Sequence, residues 1–206
     1  RLEDKSLNPA DLETVVMIQC VDSREEPRNY CSRVCSASSL KYALSLKAEN
    51  PDMSVFVLYR DMMSYGFAET YFTQARKQGV IFIQYEVDEK PDVTATDNNV
   101  RVNAFDPILG RRVEITADLL VLGTGVVPTL PETLATSFGA ALDRDGFFQE
   151  AESKWRPVDS LKEGVFACGL AHSPRSITES VSTAEAAAQR ALRIISRKQL
   201  PAGKVV

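Results

Sequence analysis

The feature that most constrains this chain is a set of short, continuous apolar runs separated by segments with helical periodicity. VVMIQC at 15–20, VFVLY at 55–59 and VIFIQY at 80–85 have the length of a strand and are too short for a buried helix. Strands that are apolar on both faces occur mainly in parallel sheets covered by helices. The alternation of these runs with helical segments therefore predicts an α/β fold with a parallel sheet and right-handed crossovers.

The segments between these runs predict two helices and one long loop. Residues 36–49 carry apolar side chains at helical spacing after a serine-rich start. Residues 67–78 repeat this pattern, and Gly79 follows as a C-terminal cap. Residues 21–35 are polar and contain a proline, so we expect a loop there. We expect residues 1–13 to form a leader that packs little.

The periodicity changes from helical to alternating after the third run. Residues 92–104 and 111–115 alternate polar and apolar side chains, which predicts an antiparallel meander. LLVL at 119–122 predicts one more buried strand, which leads directly into the sequence GTGVVP. We therefore expect residues 14–128 to form one nucleotide-binding-type α/β domain with an inserted meander.

The remaining residues, 129–206, predict a less regular region that ends in a helix. Residues 129–163 show no clear period, and VFAC at 165–168 predicts a short buried strand. Residues 176–197 are rich in alanine and predict a long helix with one apolar stripe.

Composition excludes several classes of function. The net charge of −4 argues against a nucleic-acid partner, because phosphate binding requires a basic surface. No apolar run reaches the length of about 18 residues that a transmembrane helix needs, and the charged start is not a signal peptide. Four cysteines are too few for a secreted disulfide scaffold, so we expect cytoplasmic thiols that are reduced or bind metal. The absence of an initial methionine indicates a processed or excised piece.

Three of the cysteines lie close together in sequence. Cys20 ends the first apolar run, and Cys31 and Cys35 precede the first predicted helix, all within sixteen residues. Amide groups at a helix start favour negative charge, so thiolates there could ligate an iron–sulfur cluster, which requires four of them. The alternative is that these are unconnected reduced thiols, with Cys20 as a core residue.

Two glycine-containing turns could hold a ligand. Gly123, Thr124 and Gly125 follow a predicted strand, and glycine there lets the backbone approach a flat or phosphorylated molecule closely. The alternative is a simple glycine turn. A complete GxGxxG dinucleotide fingerprint is absent from the chain.

The second turn lies in GVFACGLAHSPRSITES at 164–180. Gly169 opens it, and the helix that begins near Ser176 offers backbone N–H groups to an anion or a ring oxygen. His172, the single histidine of the chain, lies in this turn. Its alternative role is that of a hydrogen-bonded loop residue.

Taken in order, several segments resemble one family. QCVDSREEPRNYCSRVC, VFVLYRDMMSYGFAE, DPILGRRVEI, LLVLGTGVVP and GVFACGLAHSPRSITESV resemble the A-subunit family of heterodisulfide reductase, including the related flavoprotein subunits of quinone-interacting membrane-bound oxidoreductase complexes. The resemblance covers nearly all of residues 14–195. It implies a thioredoxin-reductase-like fold of the FAD/NAD(P)-binding type. Residues 14–128 would be the NAD-binding-like inserted domain, and residues 129–206 the C-terminal part of an FAD-binding domain.

The resemblance also implies cofactors and residues that hold them. Cys20, Cys31 and Cys35 match ligands of a [4Fe–4S] cluster, but Ser36 stands where the family has a fourth cysteine, which implies a labile cluster or none. Lys41 matches a lysine near the flavin ring and is the candidate catalytic residue. The residues expected to contact FAD are Gly123, Thr124, Gly125, Gly169, Leu170, His172, Ser176 and Ile177.

The function implied is that of a fragment of a flavin and iron–sulfur oxidoreductase subunit that transfers, or bifurcates, electrons between protein partners. These partners would be other subunits of a redox complex and electron-carrier proteins, in the cytoplasm or at the cytoplasmic face of a membrane complex, with a homodimer as a further option. One alternative is an inactive scaffold or docking module of such a complex. Another, a nicotinamide-dependent disulfide reductase, is disfavoured because both Cys-x-x-Cys and GxGxxG are absent.

Overall fold

The computed structural model describes residues 8–129 and 132–196, which divide into two compact units after Gly125. The first, here called the sheet unit, comprises residues 8–125. The second, here called the C-terminal unit, comprises residues 126–129 and 132–196. Within these described ranges every helix is too short or too polar to cross a membrane.

The sheet unit contains seven strands in two sheets. In chain order they are β1 Thr14–Val21, β2 Ser54–Tyr59, β3 Ile81–Gln84, β4 Asp92–Ala95, β5 Val100–Asp106, β6 Arg111–Ala117 and β7 Leu119–Thr124. The first sheet has the order β3-β2-β1-β7 and is parallel throughout. The second is the antiparallel meander β4-β5-β6. The α/β fold class and the inserted meander are therefore confirmed.

Four α-helices complete the described structure. They are α1 Cys35–Glu49 and α2 Glu69–Lys77 in the sheet unit, and α3 Glu132–Phe138 and α4 Ile177–Ile195 in the C-terminal unit. Gly79 follows α2 with a φ of +82° and donates its N–H to the carbonyl of Arg76, as expected of a C-terminal cap.

Both faces of β1 are covered, which explains its unbroken apolar sequence. Val15 and Met17 pack on the side of α1, together with Leu40. Val16 and Ile18 pack on the opposite side against the meander, whose buried residues are Val102, Ala104, Ile115 and Ala117. A strand with β2 on one side and β7 on the other has no free edge, so β1 is the central support of the sheet unit.

Two expectations for the sheet unit require adjustment. The second predicted helix is divided into a 3-10 turn at Gly66–Ala68 and the shorter α2, and Phe67 is 96% exposed instead of packed. Residues 1–7 of the predicted leader lie outside the described residues, but Leu12 is buried in the core on the α1 side. Its apolar side chain fills space next to β1, so the end of the leader does pack.

The C-terminal unit differs more from the sequence-based expectation. The prediction of a strand at 165–168 is wrong. This stretch forms only an isolated bridge between Asp159 and Phe166, and no neighbouring strand pairs with the rest of it. The helix α3 was not predicted. The long final helix is present, with Ser176 as its N-cap and Glu179 completing a capping box, and the prediction for Arg197 lies outside the described residues.

Leu40→Ala should destabilise the sheet unit by about 2–5 kcal/mol, because it leaves a cavity where a side chain is 1% exposed. Hydrogen exchange of the α1 amides, measured by mass spectrometry, reports the stability of the sheet unit separately from that of the C-terminal unit. Lys41→Ala, on the exposed side of the same helix, serves as the control and should change protection little. Equal protection in the two variants would contradict the assignment of α1 to the core.

Candidate functional site

The candidate site of the sheet unit lies at the carboxyl ends of β1 and β7. From β1 the chain continues to β2 on one side, whereas β7 lies on the other side, so the strand order reverses between β1 and β7. Ligands of open α/β sheets bind in the crevice outside such a reversal. The residues at this crevice are Gln19 and Cys20 from β1, the predicted contact residues Gly123 and Thr124 from β7, and Gly125 directly after β7.

The chain's own residues fill the space above the two glycines. A Cβ atom on Gly123 would lie 2.8 Å from Oε1 of Gln19, and one on Gly125 would lie 2.9 Å from the carbonyl oxygen of Asp22. Gly125 also donates its N–H to the carbonyl of Val21 at 3.0 Å. The close approach that glycine permits is therefore used here by the side chain of Gln19 and by the loop after β1.

This loop, residues 22–34, has an unusual and well-supported backbone. Non-glycine residues adopt positive φ at Cys20, just before the loop, and at Asp22, Arg24 and Arg33 within it, which costs of order 1–3 kcal/mol each and requires compensation. The compensating hydrogen bonds join Arg24 N–H to the carbonyls of Arg28 and Tyr30, Ser23 Oγ to the carbonyl of Tyr30, and Arg60 Nη1 to the carbonyl of Arg24. The loop is thus a built structure and not a loose connection.

The structure brings the three cysteines of this segment together. Cys20, Cys31 and Cys35 are free thiols that line one cavity of about 10 Å³. Burial lowers the pKa of the Arg24 guanidinium, but its neighbours Asp61 and Cys20 raise it more, so that the net shift is upward. The backbone N–H of Arg33 donates to Cys31 Sγ at 3.3 Å. Burial, followed by the neighbouring Cys20 and Cys31, raises the pKa of the Cys35 thiol.

Ser36 uses its hydroxyl for a structural purpose. The residue is 5% exposed, and its Oγ accepts the backbone N–H of Met63 at 3.0 Å. Its carbonyl accepts the hydroxyl of Ser39 at 2.9 Å. Ser36 therefore joins the first turn of α1 to the segment that follows β2.

The residues present do not fit a [4Fe–4S] cluster in this arrangement. The cavity is no larger than the ~10–15 Å³ that one water molecule needs. No group of His, Cys, Asp or Glu among the described residues is arranged to hold a metal ion. The oxygen that would replace a fourth thiolate is already engaged with Met63. We therefore assign no step to a cluster in this chain.

Several residues of this site were missed by the sequence analysis. Gln19 is 3% exposed and its Oε1 atom is buried without a hydrogen-bond partner, while its carbonyl accepts the hydroxyl of Tyr85. Asp61 lies 2.5 Å from Arg24 Nη2. The one available signal was a polar glutamine inside an otherwise apolar run. The expected catalytic residue, Lys41, is exposed on α1 with its Nζ 5.2 Å from the ring centroid of Tyr42, and its role stays a prediction.

In the C-terminal unit, the predicted flavin contacts surround the start of α4. Gly169 has a φ of +61°, which favours glycine, and donates its N–H to Thr183 Oγ1 at 3.1 Å. Leu170 is 55% exposed and Ile177 85% exposed. The N–H of Ser176 donates to the carboxylate of Glu179 at 2.8 Å. Because that carboxylate offsets the positive end of the helix dipole, this site suits a neutral ring oxygen better than a phosphate.

His172 connects two charged groups of the C-terminal unit. Its Nδ1 lies 2.5 Å from Arg175 Nη2, so Nδ1 accepts a hydrogen bond from the guanidinium and the ring hydrogen of the neutral imidazole is on Nε2. Nε2 lies 3.0 Å from a Glu150 oxygen, within ion-pair distance but without hydrogen-bond alignment. Burial, followed by Arg175, lowers the pKa of His172. These contacts are those expected if His172 has its alternative role as a hydrogen-bonded loop residue. A contact between His172 and a cofactor stays a prediction.

Comparison with known proteins identifies relatives over nearly the whole chain. The A-subunit of the ferredoxin:CoB-CoM heterodisulfide reductase of Methanosarcina acetivorans is 38% identical over 95% of this chain and 25% of that protein. The A-subunit of the H(2):CoB-CoM heterodisulfide,ferredoxin reductase of Methanothermobacter marburgensis is 40% identical over 92% of this chain and 30% of that protein. These matches confirm the resemblance to the heterodisulfide reductase A-subunits, an oxidoreductase family. No protein-family model matches the chain.

The chain thus spans about 25–30% of the length of these relatives. Among solved structures, the thioredoxin reductase of T. acidophilum matches with a TM-score of 0.58 at 17% identity, over 89% of this chain and 53% of that one. The thioredoxin reductase of Lactococcus lactis matches with a TM-score of 0.55 at 20% identity, over 87% of this chain and 52% of that one. At these identities the likeness concerns the fold alone, and it confirms the thioredoxin-reductase-like class.

A double-mutant cycle with Gln19 should distinguish the packing around Gly123 from the packing around Gly125. Gly123→Ala should cost about 1–3 kcal/mol of stability in the natural chain and clearly less when Gln19 is alanine, because the clashing side-chain oxygen is then gone. Gly125→Ala should cost the same with or without Gln19, since it meets the backbone of Asp22. Urea unfolding provides the measurement. If the loss of unfolding free energy caused by each glycine variant were the same with glutamine and with alanine at position 19, the packing of Gln19 on Gly123 would be disproved.

The C-terminal unit should lose stability as the pH falls below about 6.5, the ordinary pKa of histidine. Folding lowers the pKa of His172, so that as the pH falls the unfolded chain binds a proton before the folded protein does. The stability that is present above about pH 6.5 is therefore lost progressively as the pH falls towards the lower pKa of the folded state. His172→Gln should remove this loss between about pH 7 and pH 5, values on either side of that pKa. Thermal unfolding at several pH values tests it, and an unchanged pH dependence in the variant would contradict the assignment.

Proposed function

We propose that this chain is a flavin-contacting segment of an FAD-dependent oxidoreductase subunit that transfers electrons between protein partners. The supporting observation is sequence identity of 38–40% with heterodisulfide reductase A-subunits over more than nine-tenths of the chain, joined to a thioredoxin-reductase-like fold. The partners would be other subunits of a redox complex and electron-carrier proteins. The cytoplasm, or the cytoplasmic face of a membrane complex, is the proposed location.

The C-terminal unit supplies the proposed flavin contacts. A bound flavin would supply the one- and two-electron chemistry, and the protein would supply position and polarity. The exposed side chains of Leu170 and Ile177 offer apolar surface to a ring system. The start of α4, after Ser176, offers backbone N–H groups to a ring oxygen. Gly169, with a φ of +61°, allows the tight turn that precedes this helix. In the sheet unit, the flavin contacts expected for Gly123, Thr124, Gly125 and Lys41 stay predictions and are not part of this proposal.

Electron bifurcation and an iron–sulfur cluster were expected from the family resemblance. Neither is included in this proposal, because Ser36 and the small thiol cavity do not fit the cluster. The nicotinamide-dependent alternative is weakened by the same region, because the loop after β1 lies directly against Gly125 where a dinucleotide would approach.

A docking module is the second candidate function. None of the residues of α4 is buried, and four of its large apolar side chains are more than half exposed: Ile177, Val181, Leu192 and Ile195. These side chains repeat at helical spacing and form one stripe. Such a stripe suits burial against another protein surface.

An exchange of segments tests the flavin proposal. The matching residues of the Methanothermobacter marburgensis A-subunit are replaced by this chain, and bound flavin is measured by absorbance after purification. We expect the exchanged protein to retain flavin, and Gly169→Ala to reduce retention several-fold because the position has a φ of +61°.

Gly164→Ala is the matched control for that exchange. This glycine also has a positive φ, +81°, but lies outside the proposed site, so its variant should keep the flavin. A folded exchanged protein without flavin would contradict the proposal and leave the docking function.

The chain by itself should bind FAD weakly or not at all. Contacts around residues 169–177 cover only part of a large dinucleotide and cannot offset the entropy lost on binding. Titration with FAD, followed by the quenching of flavin fluorescence, measures this. Stoichiometric FAD that survives purification of the chain would contradict the expectation.

A further inference from the structure

Two neighbouring cavities of the C-terminal unit have no part in the proposed flavin contacts. The first, here called the aromatic cavity, has a volume of about 160 Å³, and the second, here called the charged cavity, has a volume of about 110 Å³. Residues 164–166 belong to the walls of both. We propose that the two cavities together bind a small aromatic anion, with its ring in the first and its charged group in the second. This inference rests on the C-terminal unit alone and does not depend on flavin binding.

The aromatic cavity has the size and the wall of a site for one ring. Its wall includes Phe138, Phe148 and Phe166, together with the small residues Ala140 and Ala167. An apolar protein cavity of roughly 150 Å³ accommodates one benzene molecule. Aromatic rings attract one another in stacked or edge-to-face pairs, so this wall favours a ring over an aliphatic chain. Phe138 is 53% exposed, so the wall borders on solvent and a ligand can enter there.

The charged cavity has an excess of positive charge. Its wall contains four cationic and two anionic side chains, namely Arg156, Lys162, Arg190 and Arg193, and Asp159 and Glu163. Four positive charges less two negative charges leave a formal charge of +2 around this small space. A concave site with one dominant sign of charge concentrates ions of the opposite sign, which are anions here.

The carboxylate of Asp159 is engaged within the protein and leaves two cations available. Its Oδ1 accepts hydrogen bonds from Arg190 Nη2 at 2.7 Å and Nε at 3.2 Å, and the residue is only 6% exposed. Lys162 and Arg193 are exposed and form no ion pair within residues 8–129 and 132–196. Glu163 is the one remaining acid of the wall, so these two cations are the groups that an anionic ligand would meet.

Gly164 provides an open path between the two cavities. It belongs to both walls, and a Cβ atom at this position would meet nothing within 4 Å. A ligand can therefore cross the backbone of Gly164 without displacing a side chain. A ring and a carboxylate that are joined by one methylene group match this arrangement, because guanidinium and ammonium groups bind carboxylates through charge-assisted hydrogen bonds.

The experiment uses the whole chain with phenylacetate as the probe, and phenylacetamide as an uncharged molecule of nearly the same shape. Dissociation constants are measured by titration in saturation-transfer NMR. We expect phenylacetate to bind more tightly than phenylacetamide. Lys162→Gln and Arg193→Gln should each weaken phenylacetate binding about two- to fivefold, the range of an exposed ion pair, and leave phenylacetamide binding unchanged.

Phe138→Ala tests the aromatic cavity separately from the charged one. It should weaken the binding of both probes, because it removes a ring from the wall that they share. The residue is 53% exposed, so the variant should remain folded, and circular dichroism checks this for every variant.

Lys154→Gln is the matched control, because it removes the same charge from an exposed lysine of the C-terminal unit that lines neither cavity. It should bind both probes as the natural chain does. Equal affinity for the two probes, or an equal loss of phenylacetate binding in Lys154→Gln, would overturn the proposal. Unchanged binding when Lys162→Gln and Arg193→Gln are combined, or no binding of phenylacetate at millimolar concentration, would also overturn it. None of these outcomes bears on flavin retention, because neither cavity includes a proposed flavin contact.

Discussion

The close packing of the end of β1 and its following loop against Gly123 of β7 and Gly125 directly after it is the contact on which the sheet unit depends. β1 is buried on both faces, so its carboxyl end has a fixed position. Gly123 and Gly125 then allow Gln19 and the carbonyl of Asp22 to lie where a larger residue would place a Cβ atom. A crevice that open α/β sheets commonly offer to ligands is here largely occupied by the protein itself.

Much of the fold followed from the sequence because its strongest signals are local. The continuous apolar runs correspond to β1, β2 and β3. β1 is covered on both faces and therefore needs apolar residues at successive positions, whereas β3, at the sheet edge, is partly exposed. The alternating residues correspond to the meander, in which β5 and β6 each have one covered face whereas β4 is exposed. The stretch at 165–168 misled because four apolar residues satisfy the strand pattern without a neighbouring strand, and only pairing in three dimensions decides that.

The site was less accessible to prediction, because its contacts join distant residues. The glycines and the three cysteines were visible as residue types at meaningful positions. The partners that define their roles were not, since Asp61 is 37 residues from Arg24 and Met63 is 27 residues from Ser36. Glu150 and His172 meet in the same way in the C-terminal unit. Pattern reasoning identifies candidates along the chain, whereas pairing across it determines the chemistry that they can perform.

The hydrogen bond between Ser36 and Met63 also constrains how this segment can evolve. A cysteine at position 36 would exchange a strong acceptor for sulfur, a weak one, and the Met63 N–H would lose its partner. An unsatisfied buried donor costs about 1–3 kcal/mol. A chain with cysteine at position 36 would therefore be less stable, with α1 less firmly joined to the segment that follows β2. A fourth thiol at this position has a cost in folding stability that changes in the surrounding loop would have to offset.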